Sequence, residues 1–145
     1  MRKPEQWLWD ALRSHAAKDQ SVYFERIENV VGDGMPDVVA LADGPLSVTS
    51  FVELKARTTW PVRKDTPVFT DDTGMRVSQI NWHLNWTRRG GNSYVLIGVG
   101  VLRQRQLFLL SGALAPGINR MTKHEFQLIE PDSWATIFTR LQRNQ

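Results

Sequence analysis

Three charged residues stand in a hairpin that is otherwise among the most apolar parts of the chain. In "GMPDVVALADGPLSVTSFVELKAR", Gly34 to Arg57, Asp37 opens one strand-like run, and Glu53 and Lys55 lie near the end of the next. Side chains alternate along a strand, so Glu53 and Lys55 share a face with Thr49, Phe51 and Arg57, while Val48, Val52, Leu54 and Ala56 take the other. The short turn "ADGP" makes the two runs antiparallel and returns Glu53 to Arg57 beside Asp37. Two carboxylates on neighbouring strands, with the Leu54 carbonyl between them, form a hard oxygen set suited to Mg²⁺ or Mn²⁺. A lysine on the same face can hold a water or a phosphate and stabilise negative charge. Phosphodiester hydrolysis needs such a set, because a water must be made nucleophilic and charge builds on phosphorus and the leaving oxygen. The plainer reading is a surface ion pair worth at most about 1 kcal/mol, with Asp37 ending a turn after Pro36.

The elements that must position these groups follow from pattern. Pro4 suits a first helical turn, and Leu8, Trp9, Leu12 and Ala16 recur at helical spacing, which predicts a helix over 4–17. Glu5 heads its apolar stripe and Asp10 points away. "SVYFERIENVV" reads as a strand, "GDGM" as a turn, and 36–41 and 48–57 as two more strands. Residues 58–77 carry two prolines, several threonines and mixed charge, and read as a long loop of the functional or mobile kind. Ser78 is the expected N-cap of the helix "QINWHLNWTRR", which Gly90-Gly91 ends. Gln79, Trp82, His83 and Trp86 share one face of it. "SYVLIGVGV" is the near-continuous run of a strand buried on both sides, and "QLFLLS" is another strand. "TKHE" has the form of a capping box, and "SWATIFTRLQRN" reads as a C-terminal helix. The order α-β-β-β-α-β-β-α describes one mixed α/β domain, bordering on α+β, over 1–145.

Composition sets limits. The chain has 145 residues, 41% apolar and 23% charged, an ordinary globular balance that can bury a core. It has no cysteine, which removes disulfides and thiolate metal sites. The net charge of +3 permits a nucleic-acid partner without requiring one. Thirteen of the 18 basic residues are arginine, whose planar fork suits phosphate. The N-terminal stretch has no signal-peptide pattern and no apolar run is long enough to span a bilayer, so a cytoplasmic location is expected, in a bacterium or a phage-infected host.

"GMPDVVAL…FVELKAR" resembles the core motif of the PD-(D/E)XK nuclease superfamily, and more narrowly the VRR-NUC type and related small phage nucleases. The likeness continues through "SQINWHLNWTRRGGNSYVLIGV" and includes "EQWLW" at the start of the first helix. It implies a restriction-endonuclease-like αβββαβ core, a mixed central sheet flanked by helices, and a Mg²⁺- or Mn²⁺-dependent DNA endonuclease. By this resemblance Asp37 and Glu53 are the principal metal ligands, with the Leu54 carbonyl. Lys55 orients the water, Gln79 supports Lys55 or the phosphate, and Glu5 reaches the metal through water or holds a second ion. Glu25 and Glu28 are reserve candidates for that second ion. Small resolvase-like relatives act as homodimers on branched DNA, which extends the expectation to a homodimer and a junction. The other function class is a catalytically silent nuclease fold that binds DNA or protein.

Trp60, between Arg57 and the pair Arg63 and Lys64, makes a basic cluster with an aromatic that could stack on a base. The alternative is a tryptophan that pins the loop to the body. Arg88 and Arg89, with Arg103 and Arg105, could extend a phosphate-binding surface. His15, His83 and His124 lack zinc-site spacing and read as packing or surface residues. Trp82 and Trp86 read as core.

Overall fold

A computed structural model describes residues 3–27, 34–44, 47–70 and 72–144. Helix α1 spans Pro4–Ala16 and is followed by strands β1 (Val22–Arg26), β2 (Val38–Ala42) and β3 (Val48–Arg57). Helix α2 (Val77–Arg88) leads to β4 (Asn92–Val99) and β5 (Gln106–Ser111). A 3₁₀ segment, Gly112–Arg120, and the short helices α3 (Lys123–Gln127) and α4 (Trp134–Leu141) complete the chain. The five strands form one sheet in the order β1-β2-β3-β4-β5. Only β3 and β4 run parallel. A parallel pair needs a crossover, and α2 supplies it. The fold is α/β, a mixed sheet between helices in the expected αβββαβ order.

Alternation along the strands divides the core in two. Val48, Val52 and Leu54 of β3, with Tyr94 and Leu96 of β4, pack under Leu8, Trp9 and Leu12 of α1 and Ile137, Phe138 and Leu141 of α4. The intervening residues Val95, Ile97 and Val99 pack on the opposite face with Phe69, Met75, Ile118 and Phe126. β4 is therefore buried along its whole length, as its unbroken apolar run requires.

Several boundaries move. β2 starts at Val38, two residues after the expected start, because Pro36 has no amide to donate and the Asp37 side chain turns to the Leu54 amide. The strand expected over 21–31 runs from Val22 to Arg26 among the described residues. Its continuation, with Glu28, lies outside them. α2 is capped at Arg76, not Ser78, since the Arg76 amide donates to Gln79 Oε1 at 2.9 Å. This reciprocal half of a capping box lets the helix begin at Val77. Gly90, at φ 86°, ends it in the left-handed region. The capping box at Thr122 forms as expected, with Thr122 Oγ1 accepting from the Glu125 amide and the Thr122 amide donating to Glu125 Oε1.

Candidate active site

The register of the central hairpin brings its carboxylates together. Val38 of β2 stands opposite Val52 of β3. One residue further, the same register sets Asp37 opposite Glu53, on the face away from the Val38–Val52 core. Asp37 Oδ2 accepts from the Leu54 amide at 2.9 Å, which fixes its carboxylate against β3. Gly34, at φ 86°, leads into this turn, and a Cβ there would collide with the Ser78 carbonyl in the first turn of α2. The glycine of the motif thus brings the Asp37 turn against the helix that carries Gln79.

Glu53 is almost wholly buried, at 1% exposed, and Gln79 Nε2 donates to its Oε2 at 3.3 Å. Lys55 Nζ lies 4.0 Å from the same oxygen. The other oxygen, Oε1, has no hydrogen-bond donor among the described residues. Burial is the largest cause holding the Glu53 pKa well above the usual glutamate value, and the neighbouring Asp37 carboxyl adds to it. Lys55 and Arg76 pull the other way and do not cancel it. Two carboxylates facing one another have only acceptors to offer, so either a proton or a cation must sit between them.

These residues open onto one cavity of about 490 Å³, lined by Glu5, Asp37, Glu53, Leu54, Lys55 and Gln79 among others. Every residue expected in the catalytic and metal set lines it. Glu5 does so from the first turn of α1, but among the described residues no group of three or more acidic or histidine side chains is close enough to hold one ion. Glu5 therefore borders the Asp37–Glu53 pair without completing a three-carboxylate cluster. Glu25, on the exposed side of β1, is outside the lining and accepts from the Tyr23 hydroxyl.

The basic residues expected to meet nucleic acid are elsewhere. None of Arg57, Trp60, Arg63, Lys64, Arg88 and Arg89 lines this cavity. Arg57 Nη1 donates to the Val68 carbonyl at 2.6 Å and ties the 58–76 loop to the sheet. Trp60 is half-buried and packs edge-on against Phe108 and Phe126, with centroids at 6.2 and 6.0 Å, so it pins the loop to the body. Arg63 and Lys64 are exposed. Arg88 and Arg89 cap the C-terminal end of α2, away from Gln79 in its first turn, and Arg89 Nη1 donates to the Asn85 carbonyl.

The cations at the cavity are Lys3, Arg26 and Arg76, besides Lys55. Arg26 Nη1 donates to Gln6 Oε1 at 2.9 Å, and its guanidinium lies 6.0 Å from the Trp9 ring centre. The turn that presents Arg76 is clasped from the far side. Asn119 Oδ1 accepts from the Met75 amide at 2.7 Å, and Asn119 Nδ2 donates to the Met75 carbonyl at 2.8 Å. No spacing in the sequence joins residues 3, 26 and 76; Arg26 reads there as a partner of Glu25 and Glu28 sooner than as a phosphate ligand, and Lys3 and Arg76 offer only their position at an element end, which arginine and lysine share widely.

His83, one turn after Gln79, is fully buried, and its Nδ1 is 2.8 Å from Ser93 Oγ. Burial lowers its pKa to about 4, so it is neutral at ordinary pH. The packing reading thus describes it. Trp82 and Trp86 differ from the core reading. They stack on one another at 5.1 Å and meet Phe51 edge-on, with Trp86 39% exposed.

No protein-family model, the VRR-NUC type included, and no curated protein matches the chain. Among solved structures the chain is similar to Hjc, a Holliday junction resolvase from the archaeal hyperthermophile Archaeoglobus fulgidus. The identity is 16%, the match covers 69% of this chain and 73% of that one, and the TM-score is 0.43. No helix among the described residues is long and apolar enough to cross a membrane.

Proposed function

We propose that this protein is a divalent-metal-dependent DNA endonuclease that hydrolyses phosphodiester bonds in branched DNA. One observation carries the reading: a buried carboxylate, a second carboxylate opposite it in register, a lysine two residues on and a helix-borne glutamine all open onto a single cavity. Glu53 Oε1, buried without a donor, fits a cation between the two acids, and the oxygen donors favour Mg²⁺ or Mn²⁺. Asp37, Glu53 and the Leu54 carbonyl would hold the ion, with Glu5 reaching it through water. When bound, the ion lowers the pKa of water and offsets charge on the phosphate.

The chain's own groups do the rest. Lys55 directs its ammonium into the cavity, where it orients a water and stabilises charge developing on the phosphate oxygens. Gln79 holds Glu53 Oε2 in place. Lys3, Arg26 and Arg76 receive neighbouring phosphates at the cavity rim. Two copies acting on opposed strands would give the paired cuts of a homodimer, and Trp86, exposed beside the half-buried Phe51 and Trp82, is an aromatic side chain such a dimer would cover.

The test is a panel of end-labelled linear, nicked and four-way-junction DNA with Mg²⁺, Mn²⁺ or EDTA. Metal-dependent cutting of the junction is expected, at opposed strands if two copies act together. Lys55→Ala and Asp37→Asn should each lower the rate by about 100-fold or more while the circular dichroism spectrum is kept. Undiminished cutting by Lys55→Ala would remove Lys55 from the mechanism. A folded wild type that binds the junction and never cuts it would instead establish the silent binding module.

A further inference from the structure

The turn joining β4 to β5 displays an apolar side chain that the fold does not use. Leu102 is 86% exposed, and its φ of 50° is the sole positive value for a non-glycine among the described residues. A leucine in the left-handed region is strained, because its Cβ crowds the following carbonyl. Val101 beside it is 39% exposed. Arg103 and Arg105 flank it, and neither forms an ion pair among the described residues. The tip 100–105 has two arginines and no acid, a charge pattern complementary to a polyanion.

Its place in the fold ties it to the site. β4 runs parallel to β3 with Lys55 opposite Ile97 and Arg57 opposite Val99, and the Gly100 amide donates to the Arg57 carbonyl at 2.9 Å. The tip thus leaves the sheet at the end where Asp37 and Lys55 lie. Leu102 is five positions beyond Ile97, an upper limit of roughly 17 Å or about five base-pair steps that the turn at Gly100 shortens. A second cavity of about 460 Å³ lies between the tip and α1, lined by Trp7, Asp10, Val101, Leu102 and Arg105. The same helix sends Glu5 and Gln6 into the catalytic cavity. Asp10, the one acid in this lining, accepts from Gln6 Nε2 at 3.2 Å. A carboxylate there repels a phosphate.

We propose that the β4–β5 tip is a nucleic-acid wedge: Leu102 enters the base stack of the bound DNA, the displaced base rests against Trp7, and Arg103 and Arg105 hold the flanking phosphates. The inference deepens the nuclease reading and rests on it. Apolar wedges that unstack a base step are a known physical device, and an aromatic ring beside the wedge gives the freed base a surface to stack on. An unstacked step is easiest to open where pairing is already interrupted, so the wedge favours branched over continuous duplex.

The experiment uses four-way-junction DNA with 2-aminopurine placed at successive positions within four steps of the branch, in EDTA so that the strands stay intact. Wild type should bind and raise the fluorescence at one or two positions. Leu102→Asn keeps a residue that tolerates the left-handed backbone but removes the apolar wedge. It should leave the fluorescence flat and weaken junction binding about tenfold, with an unchanged melting temperature. Leu102→Met should restore both. If wild type binds the junction and cuts it with metal, yet fluorescence stays flat or Leu102→Asn matches wild type, the wedge is wrong and the nuclease reading stands. If wild type neither binds nor cuts DNA, both fall. If Leu102→Asn halves the mass seen in sedimentation, the tip is a contact between copies and the wedge is overturned.

Discussion

Glu53 and His83 titrate in opposite senses, and their chemistry can be read in the pH dependence of stability. Glu53 has its folded pKa raised, mainly by burial and then by Asp37. Its stabilising share is therefore full below the usual glutamate range and is lost as pH rises through the folded value. His83 has its folded pKa lowered from 6.5 to about 4 by burial. Its share is full above 6.5 and is lost as pH falls towards about 4, a loss of up to about 3 kcal/mol. Thermal melts in EDTA should show both slopes. Glu53→Gln should remove the decline that comes as pH rises above the usual glutamate range, and His83→Gln should remove the decline that comes as pH falls below 6.5. Mn²⁺ stabilises by mass action where it binds the folded state alone, so its upward shift in melting temperature should grow with pH and vanish in Asp37→Asn. A Mn²⁺ shift that survives in Asp37→Asn would place the ion elsewhere.

The element that decides how the site is presented is the loop between β3 and α2. Its described residues form no helix and only the isolated bridge of Pro67 to Thr122, yet it is held at several points: Arg57 on the Val68 carbonyl, Trp60 against Phe108 and Phe126, and Asn119 on both polar groups of Met75. These contacts set Arg76 and the start of α2, and through α2 the position of Gln79. Asn119→Ala removes two hydrogen bonds to one backbone unit and leaves that unit in a half-buried place. It should cost about 1–3 kcal/mol, and it should slow cleavage more than it weakens Mn²⁺ binding, since Asp37 and Glu53 are held by the hairpin. Chemical denaturation and calorimetry with Mn²⁺ separate the two effects. An Asn119→Ala protein with full activity would mean that the clasp supports the fold alone.

On the scale of the molecule, the site lies at one end of the sheet, where β2 begins and β3 ends, and α1 and α2 each contribute their first turn. Four cations meet four acids there, Lys3, Arg26, Lys55 and Arg76 with Glu5, Asp37, Glu53 and Asp72, so the lining is balanced in formal charge while the chain as a whole is +3. If Lys3, Arg26 and Arg76 each neutralise one phosphate, their three released counterions alone contribute about a 40-fold loss of junction affinity between about 50 and about 200 mM salt, and Arg103 and Arg105 at the wedge add to it. Each of the three changed to alanine should lower the slope of log affinity against log salt by about one. An unchanged slope in Arg76→Ala would remove it from the DNA surface.

Local order carried the reading of the hairpin. A two-residue period, a short turn and the spacing E-x-K fix which side chains share a face and which meet across the strands, so Asp37, Glu53 and Lys55 could be grouped before any tertiary contact was known. Gln79 and Glu5 followed from helical spacing beside a known motif. The rim of Lys3, Arg26 and Arg76 could not be grouped in this way. Those residues come from three element ends, and only packing of α1, β1 and the clasped loop around one cavity makes them neighbours. The same packing draws Trp60 and Arg57 towards the body, because ring contacts with Phe108 and Phe126 and a charge-assisted hydrogen bond to the Val68 carbonyl hold them there, against the exposed stacking surface that their spacing suggested.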